Sequence, residues 1–265
     1  MGNILITGVS GGMGLATAKR YINNGYKVYG LDIKEPNEPL GDHFSFIKTD
    51  LTNINEVYKA YNYISKEIDR LDNIITLSGI YNLDSLVEID EKEFIRIFDI
   101  NVFAIYRVNK VFLPLLDKHS KIIMISSELA PLDPLPFTGL YGITKSTLEK
   151  YAYSLRMELQ VFGIKVVIVR PGAVKTTLLD DSMNSINRFV DNTKLYKTNS
   201  IKFKKITESV ENKNITPDKI AYLIYKISQK KRVRYVYNIN RNLLLTLLNI
   251  LPQRMQNRII YKIIK

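Results

Sequence analysis

The chain has 265 residues, 46% of them hydrophobic, the size and composition of one globular α/β domain with an ample core. It has no cysteine, which excludes disulfides, thiolate metal sites and a thiol nucleophile, and His43 and His119 stand apart without metal-ligand spacing. The net charge of +12 is uneven: residues 230–265 hold nine Lys or Arg and no acid, which leaves +3 for residues 1–229.

In chain order, apolar runs at 3–6, 26–32, 44–48, 72–77, 119–126 and 164–169 read as strands, several of them apolar on both faces. Helical patterns near 13–24, 53–70, 90–116 and 138–162 lie between them. This alternation predicts right-handed βαβ units and an α/β fold: a doubly wound parallel sheet of about seven strands with helices on both faces. Residues 180–214 are polar, rich in Asn and Lys and weakly periodic, which predicts a long irregular, lid-like insert. A helix near 217–229 and a short strand at 233–238 follow, so one domain is expected over 1–240.

Residues 241–265 form a separate basic tail in two helical pieces broken at Pro252. In the second piece Arg254, Arg258 and Lys262 recur every four residues beside Met255, Ile259 and Ile263. A basic amphipathic helix of this kind suits an anionic membrane interface; packing on the domain's own core or on a partner is the other reading. Nucleic acid is not expected, because no binding motif accompanies the charge. The chain opens on an apolar strand without a signal-peptide layout, and no apolar run reaches the ~20 residues of a spanning helix. The expected location is therefore cytoplasmic, with peripheral membrane contact left to the tail.

Between the first strand and first helix stands Thr7-Gly8-Val9-Ser10-Gly11-Gly12-Met13-Gly14. Glycines there permit a sharp turn and let a diphosphate approach the backbone and the N–H groups opening the helix. Gly8, Ser10, Gly12, Met13 and Gly14 are therefore candidate cofactor contacts. Asp32, at the end of the second strand, lies 18 residues beyond Gly14, where an acid binds an adenosine ribose diol. An acid there repels a 2′-phosphate, which favours NAD(H); Lys34 nearby keeps NADP(H) open.

Tyr141 and Lys145 stand at i and i+4, side by side on one helix face, and Ser127 precedes Tyr141 by 14 residues at a strand end. A lysine cation beside a phenol favours the phenolate, so Tyr141 is expected to exchange a proton with a substrate oxygen well below the ~10 of free tyrosine. Ser127 would hold the same oxygen by hydrogen bond. Three other Tyr-x-x-x-Lys strings, Tyr106/Lys110, Tyr222/Lys226 and Tyr261/Lys265, share the spacing, and spacing cannot rank them.

The glycine loop, Asp32, Asp50-Leu51, Asn101, Ser127, Tyr141-x-x-x-Lys145 and Arg170-Pro171-Gly172-Ala173-Val174-x-Thr176 occur in the order of the short-chain dehydrogenase/reductase family, which the chain resembles over roughly residues 3–180. The resemblance implies a single-domain Rossmann fold and hydride transfer between nicotinamide C4 and a secondary alcohol or carbonyl. It implies Tyr141 as acid/base, Lys145 lowering its pKa and holding the nicotinamide ribose, Ser127 orienting the substrate, and Asn101 supporting a water-linked proton path to Lys145. Asp50 and Leu51 would bracket the adenine, and Pro171, Gly172, Val174 and Thr176 would line the nicotinamide. Dimers or tetramers through the 90–116 and 138–162 helices are implied as well.

Two departures stand out. Thr76-Leu77-Ser78-Gly79 replaces the family's Asn-Asn-Ala-Gly: Gly79 keeps the close backbone approach, and the amide at Leu77 is lost. The serine-to-tyrosine spacing is about one residue longer than is common, and Ser126-Ser127-Glu128 leaves Ser126 as the alternative to Ser127. Leu132, Leu135, Pro136 and Phe137 suit either an apolar pocket or plain packing; the expected substrate is a small alcohol or carbonyl compound, lipophilic if the tail meets lipid. A reading of another class is a nucleotide-binding scaffold or sensor whose basic tail contacts a membrane or a partner.

Overall fold

The computed structural model describes residues 1–211 and 213–265; the side chains of 177–182 and 211 lie outside the description. Strands β1 (Asn3–Thr7), β2 (Lys27–Asp32), β3 (Phe44–Lys48), β4 (Asn73–Thr76), β5 (Lys121–Ile125), β6 (Lys165–Pro171) and β7 (Val236–Ile239) form one sheet. Every pairing is parallel, in the order β3-β2-β1-β4-β5-β6-β7. Order reverses between β1 and β4, and the carboxyl ends of these strands open the crevice where ligands of such sheets sit.

Side-chain alternation along each strand explains why the runs are apolar on both faces. Leu5, Leu31, Ile74, Ile122 and Val166 point to one side. There they meet α2 (Ile54–Ile64) through Val57, α4 (Ala104–Phe112) through Val108 and α5 (Gly139–Leu159) through Leu148. Ile4, Ile6, Val28, Ile75, Ile123 and Val167 point to the other side, against Ala18 of α1 (Gly12–Ile22) and Ile220 and Ile224 of α8 (Pro217–Gln229).

The expected 90–116 helix is interrupted. It runs as α3 (Glu91–Phe98), capped by the Asp90 side chain, passes through a π turn at Asp99–Phe103, and continues as α4 to a 3-10 turn at Leu113–Leu115. A π turn widens the helix by one residue per turn and re-aims a side chain, here Asn101.

The predicted irregular insert at 180–214 is corrected: α6 (Thr177–Asn192) and α7 (Lys197–Glu211) cover most of it. Among the described residues, Ile186, Phe189 and Phe203 meet Leu83 and Phe137 in one small cluster, and Val210 lines the main cleft. Phe137 packs in this cluster, at a left-handed φ of 63°, within 4.8 Å of the Phe189 ring, which is the packing alternative and not the pocket one. Leu132 and Leu135 stand outside the main cleft, in a small adjoining pocket with Leu245 and Asn249.

The tail forms α9 (Leu243–Leu248) and α10 (Gln253–Ile264). It is tied to the domain at several points. The Asp133 N–H donates to Asn249 Oδ1 (2.6 Å), and buried Gln256 donates to Asp133 Oδ2 (3.2 Å) and Leu251 O (2.9 Å). Asn199 of α7 donates to Ile264 O (3.0 Å).

Candidate active site

Gly8 has φ 68°, and a Cβ there would lie 2.7 Å from the Ser78 nitrogen; a Cβ on Gly14 would overlap Gly8 O. The β1–α1 turn is therefore closed to side chains at both positions. Helix α1 follows with Gly11 at its cap, no side-chain acceptor and no acid in its first turn, so its leading N–H groups face the crevice without an anionic partner. A Cβ on Gly12 would come 2.9 Å from Thr176 Cγ2, which brings the β6 exit against this loop.

Asp32 closes the loop from β2: its Oδ2 accepts the Ser10 N–H (3.0 Å) and its Oδ1 the Ile33 N–H (2.8 Å). The Ser10 hydroxyl donates to Lys34 O. Asp50 Oδ1 accepts both the N–H and the hydroxyl of Thr52, and Leu51 is buried in the core, its carbonyl accepting from Arg107 (3.5 Å).

After β4, the loop that departs from the family pattern is held by other means. The Leu77 N–H donates to Thr7 O (3.1 Å) and the Ser78 hydroxyl to Thr7 Oγ1 (2.5 Å). Leu77 itself packs on the core and lines the cleft. Fully buried Asn101 clasps the next residue from both sides, accepting the Ile80 N–H (2.8 Å) and donating to Ile80 O (3.0 Å) and to Thr144 Oγ1 (3.2 Å). A Cβ on Gly79 would sit 3.3 Å from Asn101 Oδ1 and 3.4 Å from Lys145 Nζ, so Gly79 keeps open the space between these groups.

Burial separates the four Tyr-x-x-x-Lys strings. Tyr106, Tyr222 and Tyr261 are 43%, 46% and 61% exposed, whereas Tyr141 is 8% and Lys145 4% exposed. Ser127 stands by the Tyr141 hydroxyl, where its side chain favours the ionised phenol, and it accepts the Leu129 N–H (3.2 Å); the buried Ser126 hydroxyl has no hydrogen-bond partner among the described residues. The Tyr81 ring stands edge-on to Tyr141 at 4.4 Å, and Lys145 Nζ lies 5.7 Å from the Tyr141 ring centre and donates to Ile125 O (3.2 Å).

The electrostatics correct one expectation. Burial pushes the Tyr141 hydroxyl up to about 12; the Ser127 hydrogen bond opposes this and the nearby Glu128 charge adds to it. Burial likewise brings the Lys145 ammonium down to about 8, against the pull of Glu149, which is itself clasped by Arg170 (2.7 Å). Withdrawing both groups from water outweighs the attraction between a phenolate and an ammonium. Tyr141 is thus a protonated hydroxyl aimed into the cleft.

Met13, Gly79, Ser127, Tyr141, Lys145, Pro171, Gly172, Val174 and Thr176 share one open cleft of about 900 Å³. Gly8, Ser10, Gly12, Gly14, Asp32, Asp50, Leu51 and Asn101 do not line it; of these, the loop residues and Asp32 lie around the β1–α1 turn. Sequence reasoning missed Tyr81, Val210 and Leu245, which also line the cleft, and set Glu128, another lining residue, aside for its negative charge. Glu128 adjoins Ser127 in sequence and was legible there; Val210 and Leu245 arrive from α7 and α9, whose docking no local pattern encodes. Among the described residues no group of His, Asp or Glu could hold a metal ion, and both histidines are exposed.

A parallel sheet with a glycine turn at its switch point and a Ser-Tyr-Lys cleft beside it defines a dinucleotide-binding oxidoreductase. A profile of the short chain dehydrogenase family matches residues 2–186, and the chain belongs to that family. It is 30% identical over 254 residues to a probable short-chain type dehydrogenase/reductase of Helicobacter pylori, covering 94% of this chain and 92% of the relative. It is 31% identical over 230 residues to the 3-ketodihydrosphingosine reductase of Bacteroides thetaiotaomicron, covering 86% and 84%. Among solved structures, a short chain dehydrogenase family protein from Francisella tularensis superposes with a TM-score of 0.74 at 25% identity, over 90% of this chain and 97% of the other. The protein is an NAD(P)-dependent short-chain oxidoreductase acting on CH–OH or carbonyl groups.

Proposed function

We propose that the protein interconverts a secondary alcohol and a carbonyl compound, with Tyr141 as the acid/base. The observation that carries this reading is that the buried Tyr141, Ser127 and Lys145 side chains line one cleft wall together. A bound nicotinamide supplies or accepts the hydride. Tyr141 gives its proton to the oxygen as the carbonyl is reduced, and Ser127 steadies the charge that develops there. Lys145 lies near the Tyr141 ring to ease the return of that proton, and Asn101 and Gly79 maintain the space that a water relay to Lys145 would use. The relative named for a ketone reductase favours carbonyl reduction as the working direction.

The dinucleotide would be held by the uncapped start of α1 and the glycine turn at its diphosphate, and by Pro171, Gly172, Val174 and Thr176 at the nicotinamide. Asp32, with its carboxylate already braced against the loop, would take the adenosine ribose diol, which favours NAD(H). Replacing Asp32 by Ser is expected to raise the NADP:NAD ratio of kcat/KM by about tenfold or more, as loss of a like-charge clash would. An unchanged ratio would remove Asp32 from the account. The reading as a whole is tested by a panel of alcohols and ketones followed at the absorbance of the reduced nicotinamide with both cofactors. Turnover of at least one apolar member is expected, and a silent panel would favour the scaffold reading.

The tail supports peripheral attachment to an anionic membrane. Leu243, Leu244 and Leu247 of α9 and Ile250 are 71%, 72%, 58% and 74% exposed, beside a tail with no acidic residue, while Leu245 of the same helix lines the cleft. A lipophilic substrate would reach the cleft directly from that surface. No helix among the described residues is long and apolar enough to cross a membrane.

A further inference from the structure

Tyr81, Leu129, Val210 and Leu245 line the cleft together with Ser127, Tyr141 and Lys145, and the one acid among the described lining residues is Glu128. Its backbone N–H donates to Pro171 O (2.9 Å), which fixes it between the ends of β5 and β6. Its Oε2 accepts the Asn242 N–H (2.5 Å). Its Oε1 accepts no hydrogen bond, and no cation forms an ion pair with the side chain, among the described residues. Room for Oε1 comes from Gly172, where a Cβ would stand 2.9 Å away.

The side chain is partly buried, and burial raises its pKa against the Asn242 N–H and the Arg241 charge. Its charge also reaches the Tyr141 hydroxyl. The Asn242 N–H and the Arg241 charge offset only part of the cost of burying this carboxylate, and a cationic ligand at Oε1 would offset more. The reacting oxygen is placed by Ser127, the residue immediately before Glu128, so the cation that Glu128 receives sits close to the reacting carbon.

We propose that Glu128 is a substrate-recognition residue whose free Oε1 pairs with a primary ammonium one or two carbons from the reacting carbon, which makes the substrates amino ketones and the matching amino alcohols. The inference rests on the oxidoreductase reading above. The ammonium keeps its protons throughout: in reduction the carbonyl carbon gains the hydride and the oxygen gains the Tyr141 proton.

The test compares 1-amino-2-octanol with its isostere 3-nonanol, in which a methyl replaces the amino group, as substrates for oxidation by the full-length protein. A charge-assisted hydrogen bond supports a preference in kcat/KM of about 10- to 100-fold for the amino alcohol. Glu128→Gln keeps an acceptor for the Asn242 N–H and removes the charge, so its preference is expected to fall to near one, while Glu128→Asp retains part of it. Equal use of both alcohols by the wild type, or an undiminished preference in Glu128→Gln, overturns the proposal and leaves the oxidoreductase reading intact. Turnover of neither probe, with the matching ketones also inert, counts against the reading on which the proposal rests and removes the proposal with it.

Discussion

A phenol and an amine one helical turn apart acquire their properties from what surrounds them, and Tyr141 and Lys145 demonstrate it. Their spacing matches three exposed pairs in the same chain, yet they alone are buried, with the phenol pushed up to about 12 and the amine down to about 8. The lysine shift has a consequence for stability. Between about pH 8 and 10.5 the unfolded chain holds a proton on Lys145 that the folded chain has released, so stability rises with pH across that window. Below pH 8 the folded state carries the full cost of the buried ammonium. Lys145→Met is therefore expected to raise the unfolding midpoint at pH 7, with the gain shrinking from pH 8 and gone by about 10.5. A gain independent of pH, measured by thermal denaturation, would contradict the shift. Residue types and their order were legible in the sequence here. The direction of the Tyr141 shift was not, because its burial involves residues remote in sequence, such as Tyr81 against its ring and Leu245 across the same cleft. Space adds what spacing could not: both serines line the cleft, Ser127 acts on the Tyr141 hydroxyl, and the Ser126 hydroxyl has no partner among the described residues.

At the scale of elements, regular alternation was easy to read where both faces of a strand or one stripe of a helix meet the main core. It failed at α6 and α7, whose apolar contacts are few and aromatic and leave no strong period. It failed also at α3 and α4, where a π turn inside a continuous helical pattern has no local sequence signature. The two tail helices were legible as helices, and their docking was not, since it depends on single polar ties such as Asn249 and Gln256 to Asp133. The exposed leucines of α9 carry the membrane proposal. Wild-type protein is expected to float with anionic liposomes and to leave them as salt rises, whereas the pair Leu243→Ser and Leu244→Ser should stay in the soluble fraction. Equal flotation of the variant would assign the tail to packing alone. Both side chains are largely exposed, so the substitutions spare the ties that seat the helix.

The whole molecule places the glycine turn after β1 and the Ser127–Tyr141 wall after β5 at the same end of one parallel sheet, with β4 between them, an arrangement that suits a dinucleotide and a substrate face to face. The outer faces of α4 and α5 leave Tyr106, Tyr153 and Met157 exposed, with Val161 and Phe162 just beyond α5. Such a surface suits self-association, and light scattering is expected to give a dimer or tetramer that Met157→Glu shifts toward monomer. A wild-type monomer would oppose it.

The central claim is that Tyr141 transfers the proton, and Tyr141→Phe tests it most directly, because the ring stays and only the hydroxyl leaves. With a substrate turned over by the wild type, kcat is predicted to fall by about 100-fold or more while dinucleotide binding, followed by quenching of tyrosine fluorescence, stays within about threefold. Turnover of the variant close to that of the wild type would contradict the account.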